Sequence, residues 1–183
     1  MERAAELFAQ RGIAAVSVDE VLAAAGAGKG QFYHYFRGRD ELAAAAVGFR
    51  CAKVVTGLTE ALGGVSSLAG LEEALAGFMA GFEQAGLPGC PIGTLATEVA
   101  ARNEEARIQA AAGFDAWERL LADALERMRR RGELRADAEP AVLATGLLAS
   151  IEGGMVLSQA RKDIASLRVA VEAGLAHVRT YLS

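Results

Sequence analysis

A chain of 183 residues with 52% hydrophobic content can bury a sizeable core, and its formal charge of −4 excludes a protein coated all over in nucleic acid. Two cysteines, Cys51 and Cys90, cannot build a disulfide framework, and no basic start with an apolar signal run opens the chain, so a reducing cytoplasm is expected. The longest apolar run, residues 141–157, contains Thr145, Ser150 and Glu152 and falls short of the about 20 apolar residues of a membrane span, so it is expected to be a buried helix in a soluble protein with no membrane partner.

Alanine and leucine dominate, only three prolines interrupt, and apolar residues recur at three- and four-residue spacing, so the expected fold class is all-α with no strand. Helix one is expected over residues 2–11, ended by Gly12. Helix two, 17–25, starts at Ser17, whose hydroxyl can cap free backbone N–H groups while Glu20 completes a capping box. Its apolar stripe is Val18, Val21 and Leu22, and Gly26 suits the left-handed residue that ends it. Helix three follows over 28–34. Lys29, Gln31, Tyr33, His34, Arg37 and Arg39 supply donors for phosphates or base edges, and Phe32, Tyr35 and Phe36 supply apolar bulk to anchor the helix. Residues 27–39 carry no carboxylate, so a positive field is expected to be local to this stretch.

The segment GKGQFYHYFRGRDEL resembles the recognition-helix signature of the TetR family of bacterial transcriptional regulators, and AAELFAQRGIAAVSVDEVLAAAG resembles that family's first two helices. The similarity covers residues 4 to about 47. Two departures stand out. Gly28 stands where the family usually has Ser or Thr before the lysine, and members usually carry a further, often basic, stretch before the position of Met1. The resemblance implies a three-helix DNA-binding head in residues 1–47 and a larger helical domain in 48–183 for ligand binding and dimerisation. It also implies that Gln31 reads a base edge, that Lys29, Tyr33, His34 and Arg39 hold phosphates, and that Ser17 belongs to the same DNA-binding set.

Helix four, about 39–62, is long enough to connect head and body, so the expected boundary near residue 47 lies inside a helix. Helix five (about 67–85), the loop GLPGCP, helix six (about 92–101), helix seven (about 104–131), helix eight (about 139–160) and helix nine (about 163–182) follow. GCPIGTLATE, residues 89–98, resembles a motif in the ligand-binding domain of the LmrA/YxaF-like branch, and RGELRADAEP, residues 131–140, resembles the link before the dimerisation helices.

No catalytic constellation emerges. GAGKG lacks the Walker pattern, with Ala23 in place of its first glycine and Gly30 in place of the hydroxyl after the lysine. His34 and His177 have no Cys, Asp or Glu at ligand spacing, so neither a metal nor a cofactor is expected. Cys90, beside Pro91 and Ile92, reads as a buried small hydrophobe before it reads as a redox sensor.

Phe78, Phe82, Leu95, Phe114, Trp117, Leu121 and Met128 recur at helical spacing and serve as core. In a body built largely of alanine and glycine they also suggest an apolar effector pocket between helices five, six and seven. Glu98, Thr94 and Thr97 are its candidate polar handles, and Glu98 serves equally as an ordinary cap or salt-bridge partner. Helix eight carries Gly146, Gly153 and Gly154, each costing about 1 kcal/mol relative to alanine, which close helix approach would offset. With helix nine it is expected to form half of an intersubunit four-helix bundle in a homodimer. The expected protein is a repressor released from a double-stranded palindromic operator by a small effector. An effector-independent architectural DNA-binding protein is the alternative.

Overall fold

The computed structural model describes residues 1–99 and 101–183. Its helices are α1 (Glu2–Arg11), α2 (Val18–Ala25), α3 (Lys29–Tyr35), α4 (Arg39–Leu62), α5 (Leu68–Gln84), α6 (Pro91–Val99), α7 (Glu104–Arg130), α8 (Pro140–Arg161) and α9 (Ala165–Arg179). Extended pairing among the described residues is limited to an isolated antiparallel bridge between Leu134 and Leu182. The expected end of helix six at residue 101 passes through residue 100, which lies outside the described residues.

Local chemistry explains the helix ends. Ser17 Oγ accepts from the Glu20 N–H at 3.3 Å while Glu20 Oε2 accepts from the Ser17 N–H at 2.8 Å, the reciprocal box read from the sequence. Gly26 ends α2 in the left-handed region at φ 63°, a conformation that costs glycine no Cβ clash. The last carbonyl of α4 and one just beyond it are met from outside the helix: Arg127 donates to Leu62 O at 2.9 Å and to Val65 O at 2.7 Å.

The chain forms two compact units. The first contains Met1–Val54 and Pro91–Phe114, so it takes in α6 and the first turns of α7 as well as the expected head. Its core is built from Ala4, Phe8, Val16, Val21, Leu22, Phe32, Leu42 and Ala46. Within it α4 and α7 meet where side chains are smallest: a Cβ on Gly113 would lie 2.9 Å from Cys51 Sγ. Cys51 is buried, and that burial pushes its thiol pKa up.

The second unit contains Val55–Cys90 and Asp115–Ser183. Its main contact is α8 on α9. A Cβ on Gly154 would lie 2.9 Å from Leu167 Cα, and one on Gly174 would lie 2.7 Å from Leu147 Cδ1. Ser158 is fully buried between the two helices, and its hydroxyl accepts from the Leu167 N–H at 2.9 Å. Thus the close approach expected of helix eight is made by Gly154 within the chain, whereas a Cβ on Gly146 or Gly153 meets none of the described residues within 4 Å.

Two expectations are corrected. The last helix stops at Arg179, because residues 181–183 turn back onto the link before α8: the Arg135 N–H donates to Tyr181 O at 2.8 Å and the Ser183 N–H to Glu133 O at 3.1 Å. Second, the apolar run at 141–157 is part of a 22-residue helix that, like α4, is long and apolar enough to cross a membrane by length and composition. Only one side of it is packed in the chain: Leu143, Leu147, Ile151 and Met155 are buried in the fold, while Val142, Val156 and Leu157 are exposed.

Candidate nucleic-acid interface

The candidate interface is built on α3, held by one buried ring. Phe32 is 5% exposed and packs edge-on to Tyr33 at 5.1 Å and against Phe36 at 5.5 Å, fixing the helix to the head core. From that anchor Lys29, Gln31, Tyr33 and His34 all stand exposed, Tyr33 by 65%. Tyr35 is 65% exposed as well and meets His34 edge-on at 4.8 Å, so it is not the anchor the sequence suggested. A seven-residue helix presents few side chains per face, and Phe32 and Phe36 already occupy the inner one. Gly28 caps α3 without a side-chain bond, as its lack of a hydroxyl requires.

The charges are less open than residues 27–39 suggested. Carboxylates from just outside that stretch reach in: Lys29 Nζ lies 3.1 Å from Asp19 Oδ1, and Arg37 Nε 3.2 Å from Glu41 Oε2. The Arg37 backbone N–H donates to the same Glu41 oxygen and holds that carboxyl below its usual range. The Lys29–Asp19 pair is solvated, with both side chains 70% exposed, so salt screens it and a phosphate can displace it.

Arg39 and Ser17 are engaged with protein. The Arg39 guanidinium donates to Ile13 O, to Ala14 O at 2.9 Å and to Val16 O at 3.2 Å, closing the turn between α1 and α2. The Ser17 hydroxyl also donates to Glu20 Oε2 at 2.8 Å while it caps α2. A recess of about 230 Å³ between α2 and α3 is lined by Ser17, Asp19, Lys29, Phe32 and Tyr33, so Ser17 borders the exposed donors.

Residues 1–46 match the family model described as bacterial regulatory proteins, tetR family, and residues 67–173 match the LmrA/YxaF-like transcriptional regulator C-terminal domain. The chain belongs to the TetR family of transcriptional regulators. It is a DNA-binding regulator of that family, in the LmrA/YxaF-like branch. An HTH-type transcriptional regulator of Mycobacterium tuberculosis is 32% identical over 175 residues, covering 90% of this chain and 84% of the relative. The Bacillus subtilis regulator YxaF is 30% identical over 176 residues, covering 94% of this chain and 89% of its own. Among solved structures, reduced Escherichia coli NemR superposes with a TM-score of 0.79 at 26% identity, covering all of this chain and 96% of that one.

The residues named from the sequence as effector contacts of this TetR-family chain fall into both units. Phe78, Phe82, Trp117 and Leu121 belong to the second, where Phe78 lies 6.5 Å from the Phe82 ring and 5.8 Å from the Trp117 ring. Phe82, Trp117 and Leu121 are buried and Phe78 is half-buried. Leu95, Glu98 and Phe114 belong to the first unit, with Leu95 buried and Phe114 half-buried. Thr97 donates back to Gly93 O and Thr94 O within α6. Glu98 accepts from the Ala14 N–H at 2.9 Å. Sequence reading passed over Asn103, whose Nδ2 donates to Asp40 O and whose Oδ1 accepts from the Ala106 N–H, each at 2.9 Å. An Asn just before an apolar helical run is a cap signal, but its tertiary partner 63 residues away leaves no local trace.

Proposed function

We propose that this regulator is a repressor that binds a palindromic operator as a homodimer in the cytoplasm and is released by a small apolar or amphipathic effector. The observation that supports it best is the pairing, on one short helix, of a buried Phe32 with exposed Lys29, Gln31, Tyr33 and His34. Gln31 reads a base edge through its paired amide donor and acceptor, and Lys29, Tyr33 and His34 hold phosphates. Ser17 and Arg39 act from behind, one capping α2 and the other tying its approach turn.

Palindromic binding requires two heads at successive major-groove faces about 34–36 Å apart, or a multiple of that. The exposed apolar side chains of Val142, Val156 and Leu157 on α8 and Val169 on α9 supply the surface for a second copy. In the second unit, Phe78 and Trp117 offer an effector aromatic contact. An effector that favours the released dimer lowers DNA affinity by the factor by which DNA lowers its own, with α4 carrying the change towards the head.

Gel-shift titrations over operator variants test the DNA assignments. Lys29→Ala and Tyr33→Ala should weaken every sequence alike, whereas Gln31→Ala should change preference at one position by about 1–3 kcal/mol. Unchanged binding by both Lys29→Ala and Tyr33→Ala would refute them.

A further inference from the structure

One residue of the head is gripped from two helices at once. The Ala14 N–H donates to Glu98 Oε1, near the end of α6, at 2.9 Å, while the Ala14 carbonyl accepts from Arg39, the first residue of α4. Gly12 makes room for the carboxylate: its φ is +80°, and a Cβ there would stand 3.2 Å from the same Glu98 oxygen. A second tie runs from the α6–α7 corner, where Asn103 caps α7 and donates to the Asp40 carbonyl in the first turn of α4. The α1–α2 turn leads directly into Ser17 and the capping box of α2, so its orientation sets how α2 presents α3.

A carboxylate bound to a backbone amide is a charge-assisted bond with narrow geometry. It forms only while the end of α6 and the α1–α2 turn stand in register. We propose that Glu98 is a positioning residue that couples α6 to the DNA-reading head, so that fixing the head on DNA fixes α6, and withdrawing α6 frees the turn. This rests on the DNA-binding reading above and assigns Glu98 to transmission and not to effector contact. The reciprocity of coupled sites makes it testable from the DNA side, without the effector.

The experiment uses the full chain, a duplex that the wild-type protein enriches from a random-sequence pool, and hydrogen exchange of the peptide spanning residues 91–99. Duplex binding should slow exchange in that peptide by about fivefold or more, the lower end of typical site-to-site coupling. Glu98→Gln, whose amide oxygen still accepts from Ala14, should keep the response. Glu98→Ala should lose it even at a duplex concentration that saturates the variant, since the bond that carries the response is gone. A wild-type chain that binds its duplex with no change in residues 91–99 overturns the proposal, and that arm needs no variant to fold. So does a Glu98→Ala chain that keeps the full response. A wild-type chain that enriches no duplex overturns the DNA-binding reading, and this proposal with it.

Discussion

Replacing Gly154 with alanine measures how closely α8 and α9 approach. The added Cβ would stand 2.9 Å from Leu167 Cα, Leu167 Cδ1 and Ala170 Cβ. The leucine methyl can swing aside, but the Cα moves only with the α9 backbone. Overpacking of this kind costs about 1–3 kcal/mol, and alanine in place of mid-helix glycine recovers about 1 kcal/mol through helix propensity. The net expectation is a loss of about 1 kcal/mol, within a span of roughly 0–2. Gly77 provides the control. It lies mid-helix in α5, exposed, with none of the described residues within 4 Å of an added Cβ, so Gly77→Ala has the propensity gain alone. The two variants should shift Tm in opposite directions, by about 2–4 °C for each kcal/mol in a chain of this size. Thermal melts at one fixed protein concentration, with urea midpoints as a second measure, decide it, since association would otherwise move the apparent stability. A Gly154→Ala protein that melts level with Gly77→Ala would refute the close contact.

Glu20 should shape the acid limb of stability. The Ser17 backbone N–H, the Ser17 hydroxyl and Arg11 hold its carboxyl down to about 2, below its ordinary 4.5, so its contribution is present above pH 4.5 and lost as pH falls towards 2. Glu20→Gln should flatten the melting profile in that window, and an unchanged limb would count against the box. Glu152 should act in the opposite sense, since burial pushes its carboxyl up and its Oε1 has no partner among the described residues. Stability from that group is present below pH 4.5 and lost as pH rises through its raised value, so Glu152→Gln should raise Tm at about pH 8 relative to its value at about pH 4; an unchanged or lower relative value speaks against it. Arg39→Gln should cost roughly 1–2 kcal/mol of stability, read as a lower urea midpoint, because three carbonyls of the α1–α2 turn lose a charged donor. A role confined to phosphate contact would leave that midpoint unchanged. Finally, Gly153→Leu places bulk on the exposed stripe of α8 where no described residue opposes it, and light scattering should report a monomer; an intact dimer moves the interface elsewhere.

Much of the helical organisation was legible in the sequence because its signals are local. Ser17 with Glu20, Gly26 and Gly12 mark helix ends through bonds and dihedrals that span only a few residues, and α4 runs over the residues its apolar spacing indicated. The end of α9 was not legible, since residues 180–182 continue an acceptable helical pattern and stop only because the backbone at 133–135 offers other partners. Phe32 was readable as an anchor from its apolar bulk. Tyr35 was equally bulky, yet it stands exposed because Phe32 and Phe36 already fill the inner side.

By itself the sequence determined an all-helical chain, its TetR-type head and the set of donors on α3, since these follow from residue type and short-range spacing. Glu41 meets Arg37 at the local i,i+4 spacing, but the other engaged donors were decided by tertiary structure: Asp19 reaches Lys29, and Arg39 turns to three carbonyls. The same holds for Glu98, whose partner Ala14 lies 84 residues away. A hydrogen bond needs direction and distance, and across such a separation only the packed fold supplies them.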